Sequence, residues 1–244
     1  LEAAGEFCDR AAAAPRTSAG NHEPLAHYLA AAILDERGEV AEAATRRALA
    51  RSADATWAFP SGLDALDALD AALAAEPDDI RALGLRAMLL YAQGRRADAL
   101  ADWRRAIDQG ADDPVLLRNA GLAMYNIAGD DLAARELYAR AVAAAPDDAR
   151  LLYEQDQLAQ RLGETPAERL ARLRPLESLV LSRDDFAVVY VGLLVEAGEA
   201  PRGYEILSSR PFHPWEGGEG AALAAWDAVH AALGMPVVDP PASL

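Results

Sequence analysis

The densest group of chemically versatile side chains lies in one stretch, Arg210 to Gly220, reading RPFHPWEGGEG. His213 could act as a general acid or base, with Glu216 and Glu219 as carboxylate partners. Trp215 offers a ring on which a sugar could stack, and Phe212 adds a second aromatic. Gly217 and Gly218 permit positive φ and close backbone approach. One reading is a loop that binds a ligand or reaches into the active site of a neighbouring domain. The other is a connector between helices. In that case Phe212 and Trp215 fill space between helices, His213 and Glu216 satisfy backbone groups, and the glycines turn the chain.

Other reactive groups are scattered. His22, His27 and His230 lack the His-x3-His or Glu-x2-His spacing of a metal site, so neither a metal nor a cofactor is expected. Cys8 is the single cysteine, which excludes an intrachain disulfide, and no histidine lies near it to activate a thiolate. No Gly-rich phosphate loop with its Lys and Ser/Thr is present. Acidic pairs stand at Asp78-Asp79, Asp112-Asp113, Asp147-Asp148 and Asp184-Asp185. Each precedes or opens a helical pattern, where a carboxylate caps free amides and complements the helix dipole.

The elements that position these residues follow a ladder of glycines. Gly94, Gly129, Gly163, Gly198 and Gly234 are separated by 35, 34, 35 and 36 residues. A period of that size marks an array of helix pairs. The clearest unit is Val115 to Asp148, two helical patterns hinged at Gly129. The expected organisation is a partial repeat helix and loop over 1–23, helix-pair units over 24–56, 80–114, 115–148, 149–183 and 184–209, the loop 210–220, a terminal helix over 221–235 and a tail over 236–244. Gly38 to Gly94 spans 56 residues, about one repeat plus 22. The surplus is an inserted link and helix over 57–79. Ser61 is the expected N-cap of that helix, Leu63, Leu66, Ala68, Leu69 and Leu73 its apolar stripe, and Trp57 and Phe59 its anchors against the array.

Composition agrees with packed helices. Hydrophobic residues make up 52% of the 244, mostly Ala and Leu, and aromatics only 6%. The 39 acidic residues outnumber 23 basic ones, all arginine, for a formal charge of -16. Such a surface repels phosphate backbones, so nucleic acid is excluded as a partner. No apolar run is long enough for a membrane span, and the first residues have neither the basic nor the apolar region of a signal peptide. A cytoplasmic location is expected. The missing initiator Met reads as a chain cut from something longer, and the Ala-rich, Lys-free usage suggests a GC-rich bacterial gene.

Within the units a recurrent pattern stands out: Ala99, Trp103 and Ala106, then Ala134, Tyr138, Ala141 and Pro146. It resembles the tetratricopeptide repeat. Ala87 holds the family's small-residue position in the first helix, and Leu122 departs from it. The resemblance implies an all-α, right-handed superhelical solenoid of antiparallel helix pairs. Its register puts the first helix of each unit on the concave face, with Tyr28, Asp35, Arg81, Met88, Tyr91, Asn119, Asn126, Tyr153 and Gln157 lining a groove. Asn119 and Asn126, seven residues apart, would share one helix face and clamp an extended peptide. Without lysine, the groove does not match those of the family that grip a terminal carboxylate.

A narrower resemblance rests on the order of AFP at 58–60, WRRAI at 103–107, RNAGLAMYN at 118–126, LLYEQDQL at 151–158, ERLARL at 168–173, RDD at 183–185 and RPFHPWEGGEG at 210–220. It is similar to the repeat-bearing C-terminal region of large bacterial proteins of unknown function with a galactose-mutarotase-like N-terminal half. That resemblance implies a carbohydrate-related parent. Three functions follow. The first is a non-catalytic scaffold for a partner protein or the parent's own N-terminal domain. The second is a component of a glycoside-processing enzyme whose 210–220 loop contributes to the active site. The third is a peptide receptor using the concave groove.

Overall fold

The computed structural model describes residues 2–15, 17, 20–213, 215 and 217–236. Among them the regular structure is helical, and the only β pairing is an isolated bridge between Thr17 and Gly20. The chain divides into two compact units, one ending at Leu137 and one beginning at Tyr138.

The first unit contains α1 (Glu2–Ala12), α2 (Glu23–Glu36), α3 (Val40–Ser52), α4 (Gly62–Ala75), α5 (Ile80–Ala92), α6 (Arg96–Asp108) and α7 (Pro114–Ala123). A π turn, Met124–Ala128, extends α7, and the boundary after Leu137 falls within α8 (Asp131–Ala144). Within this unit α2 packs on α1, α3 and α4, and α5 on α4 and α6. The second unit contains α9 (Ala149–Arg161), α10 (Pro166–Leu173), a 3-10 turn at Arg174–Leu176, α11 (Glu177–Val180), α12 (Asp184–Glu196), α13 (Ala200–Ser209) and α14 (Ala221–Leu233). Its core joins Leu152, Leu173, Phe186, Tyr190, Leu194, Leu207, Trp226 and Val229.

Helix starts follow the acidic signals. The Asp79 carboxylate accepts the amide of Ala82, Asp113 that of Leu116, and Asp148 those of Arg150 and Leu151. Each satisfies orphan amides at the positive end of the helix. Thr165 and Glu168 form a reciprocal capping box at α10. Ser61 precedes α4 but makes no side-chain cap bond, which corrects the expectation for that residue.

The ladder has one mechanism with one exception. Gly94 adopts φ +81°, the left-handed conformation that ends a helix, and the amide of Arg95 then bonds back to the carbonyl of Leu90. The same five-residue step follows Gly38, Gly163, Gly198 and Gly234. After Gly129, however, Asp130 bonds back to Met124, one residue further. That extra residue is the π turn. It slips the register by one, so buried Gly121 takes the small-residue position and Leu122 moves to a half-buried one. Leu122 is therefore no departure from the pattern.

The inserted link differs from its expected role. Trp57 and Phe59 are exposed, and so is Leu63, whereas Ala65, Ala68, Leu69 and Leu73 carry the buried face of α4. Tyr28 is the element that ties α2 to this region. It is fully buried, and its hydroxyl donates to both oxygens of Asp79, at 3.0 and 2.9 Å. Burial and the neighbouring carboxylate push its phenol far above the ordinary range. Tyr28 therefore cannot line an open groove. Removing its hydroxyl leaves a buried carboxylate short of a donor, so Tyr28→Phe is expected to cost about 1.5–3 kcal/mol. Asp79→Ala should cost more, because it also uncaps α5. Urea unfolding of the two variants gives the order.

Candidate functional site

The 210–220 segment runs from the end of α13 to the start of α14. Phe212 is half-buried against the core of the second unit, with the Arg210 guanidinium 4.9 Å over its ring. His213 is exposed. Its backbone amide donates to the Asp184 carboxylate at 2.9 Å, and its Nδ1 lies 3.1 Å from the same oxygen. Arg210 pairs with the other Asp184 oxygen and donates to the Leu181 carbonyl. Asp184 was expected as a cap. It opens α12 but gives its carboxylate to this segment instead, while Asp185 accepts the amide of Phe186.

The half-buried Trp215 ring lies against Gly218 so closely that a Cβ there would sit 2.0 Å from Cε2. One face of the indole is thus covered by backbone. Gly217 and Gly220 take φ +75° and +76°, and Glu219 is exposed. Glu216 lies outside the described residues. Among the described residues no Ser, Thr or Cys side chain hydrogen-bonds to His213. The geometry is that of a tethered connector with a histidine orienting outward.

The remaining reactive groups are placed structurally. Cys8 is buried, and burial raises its thiol pKa, with Asp9 adding to the effect. His230 is buried, with Nδ1 2.9 Å from the Trp226 carbonyl and its ring centroid 4.3 Å from that indole. Among the described residues no group of three or more His, Cys, Asp or Glu is arranged to hold a metal ion. A cavity of about 220 Å³ is lined by Asp70, Arg86, Leu90, Arg95, Asp98 and Asp102. Its central charges are paired, one guanidinium with two carboxylates: Arg86 forks onto Asp102 through two 2.7 Å bonds and reaches Asp70 through a third.

The groove candidates separate by unit. In the first, α5 and α7 meet where a Cβ on Gly84 would lie 2.8 Å from Leu116 Cδ1. Arg81, one turn before Gly84, places Nη1 3.8 Å from Asp113. Met88 and Asn119 are half-buried, and Asn119 accepts from Arg118 at 2.9 Å. Asn126 is exposed within the π turn, which rotates it from the position an unbroken α-helix would give it. The two asparagines are therefore not in simple seven-residue register. Tyr91 stacks on Trp103 at 5.7 Å, with Arg96 5.8 Å over it. Asp35 pairs with Arg47 at 2.6 Å. In the second unit, Tyr153 packs on Phe186 at 5.2 Å and Gln157 is half-buried. Asp184, Arg210 and the exposed link aromatics were not singled out together in the sequence, because the first contact spans 26 residues.

No protein-family model matches the chain. Solved structures do. MamA is 13% identical over 89% of this chain and 99% of its own, with a TM-score of 0.51. A second MamA structure is 15% identical over 67% and 88%, at 0.50. YrrB, described as a TPR protein with an unusual peptide-binding site, is 12% identical over 86% of each chain, at 0.50. At these identities the likeness shows the fold, which is that of tetratricopeptide-repeat proteins. No helix among the described residues is long and apolar enough to cross a membrane.

Asp184→Ala is expected to speed amide hydrogen exchange across 212–220 by about tenfold or more, since it removes charge-assisted bonds to two residues. His213→Ala should leave the exchange near wild type, because the backbone bond and the Arg210 pair persist.

Proposed function

We propose that the chain is a non-catalytic tetratricopeptide scaffold that binds protein or peptide segments, whether of a partner or of a further domain of its own polypeptide. The observation that carries this reading is the close approach of α5 and α7 at Gly84 and Leu116. Arg81 and Met88 lie on α5, Asn119 on α7 and Asn126 in the π turn that extends it, each of them half-buried or exposed. An asparagine amide both donates and accepts, which matches the backbone of an extended peptide. The apolar Met88 supplies an adaptable contact. YrrB's described peptide-binding site supports the reading by analogy of fold.

The enzyme-component reading rests on His213, whose Nδ1 lies 3.1 Å from Asp184, a carboxylate also engaged by the His213 backbone amide and by Arg210. A carbohydrate-related parent remains part of the proposal only through the order of sequence motifs.

The test is selection of peptides from a displayed random library against the chain. Asn119→Ala combined with Asn126→Ala is expected to weaken the selected peptides about tenfold, the worth of two hydrogen bonds of about 0.5–1.5 kcal/mol. Thermal stability should be unchanged. Unaltered affinity for every selected peptide would count against this face as the binding site.

A further inference from the structure

The link between α3 and α4 is built the wrong way round for a core. Burial alternates along the link: Trp57 is out, Ala58 in, Phe59 out, Pro60 in. The two largest apolar side chains stand 55% and 59% exposed, while Ala58 is 3% exposed. Leu63, in the first turn of α4, is 71% exposed. The hydrophobic effect opposes each of these placements, because burying such side chains stabilises by about 1.5–3 kcal/mol each.

The arrangement is held by the backbone. Trp57 adopts φ +64°, the only non-glycine positive φ among the described residues. For a bulky side chain this conformation costs about 1–2 kcal/mol. Asn21, which is 3% exposed, offsets that cost. Its backbone amide donates to the Trp57 carbonyl at 2.9 Å, and its side-chain amide donates to the carbonyls of Asp54 and Thr56. Thr56 in turn donates to the Asp54 side chain at 2.7 Å. The rings themselves meet edge to face, with centroids 6.3 Å apart. A pinned, strained backbone thus presents an ordered aromatic pair to solvent.

The surroundings define the occupant by charge. No basic residue lies between Arg51 and Arg81 in the sequence, while Asp54, Asp64, Asp67, Asp70, Glu76, Asp78 and Asp79 do. Asp70, Glu76 and Asp79 are paired with arginines from other helices. Asp64 and Asp67 are exposed and have no arginine at ion-pair distance among the described residues. Leu63 and Asp67, one helical turn apart, share a face. Three exposed apolar side chains followed within four residues by unpaired carboxylates complement a cationic segment, and an indole face is the best aromatic acceptor for a guanidinium or ammonium. A second copy of this chain, at a formal charge of -16, would be repelled.

We propose that Trp57, Phe59 and Leu63 form a docking surface for a basic, apolar-anchored peptide segment of a partner protein. Asp64 and Asp67 meet its cationic groups. The surface is distinct from the α5–α7 face.

Fluorescein-labelled peptides titrated against the full chain test it: one alternating Arg and Leu, one alternating Glu and Leu, one alternating Arg and Ser. The Arg–Leu peptide is expected to bind about tenfold or more tighter than the others, as hot-spot anchors would require. Trp57→Gly removes the ring yet suits the left-handed backbone, so the chain keeps its fold while the affinity falls about tenfold. Asp64→Asn with Asp67→Asn lowers the affinity and flattens its salt dependence. Equal binding by Trp57→Gly and the wild type would overturn the proposal, as would equal binding of the Arg–Ser and Arg–Leu peptides. Sedimentation showing a dimer that Trp57→Gly dissolves would also overturn it, making a second copy the occupant.

Discussion

Carboxylates buried at the seams between helices, each gripped by an arginine fork, are the interaction on which the rest of the fold depends. Asp156 is fully buried on α9 and receives Arg169 through Nε at 3.1 Å and Arg172 at 2.9 Å, both from α10. Arg172 also spans to Glu164. Asp102 on α6 is 4% exposed and receives both prongs of Arg86 from α5. At a third seam the buried group is the arginine: Arg47 on α3 joins the partly exposed carboxylates of Asp35 on α2 and Glu76. A buried charge is tolerable only when paired and fully hydrogen-bonded, and a planar guanidinium satisfies a carboxylate bidentately where an ammonium would not. The choice of arginine for every basic residue is consistent with this use. The apolar part of these seams is leucine on α9 and α10 and a mixture of mainly alanine and leucine on α5 and α6, repetitive side chains that offer little shape to distinguish one register from another. The forks supply that distinction.

This division of labour shapes the functional surface. Most of the acidic and basic groups that look reactive in the sequence are consumed by caps and seams. Even Asp184, beside an exposed histidine, serves to tether a connector. What remains at the surface is polar amide capacity on the α5–α7 face and an exposed aromatic pair in the link. Both are features of recognition.

Much of the fold is legible from residue types because its signals are local. The glycine ladder marks helix ends through the left-handed conformation only glycine takes freely, and aspartates before apolar runs mark helix starts. Legibility fails where one residue slips or where partners are distant. A π turn at Met124–Ala128 leaves no compositional trace, so Leu122 looks like an intruder until Gly121 is seen in its place. Asp156 occupies a position where a small residue is usual, and only Arg169 and Arg172, 13 and 16 residues on, explain it. Tyr28 sits on a stripe that reads as groove but points to Asp79, 51 residues away. Trp57 and Phe59 look like core anchors because aromatics usually are. Their exposure follows from the Asn21 hydrogen bonds, which no periodicity encodes.

The central claim is that buried forks, rather than apolar contacts alone, hold the helix pairs in register. A double-mutant cycle on Asp156→Leu and Arg169→Leu, read by denaturant unfolding, tests it most directly. Each single change strands a buried charge and is expected to cost about 3–5 kcal/mol, whereas the double variant recovers much of that loss. The expected coupling is about 2–3 kcal/mol, and strictly additive losses, with coupling under about 0.5 kcal/mol, would contradict the account.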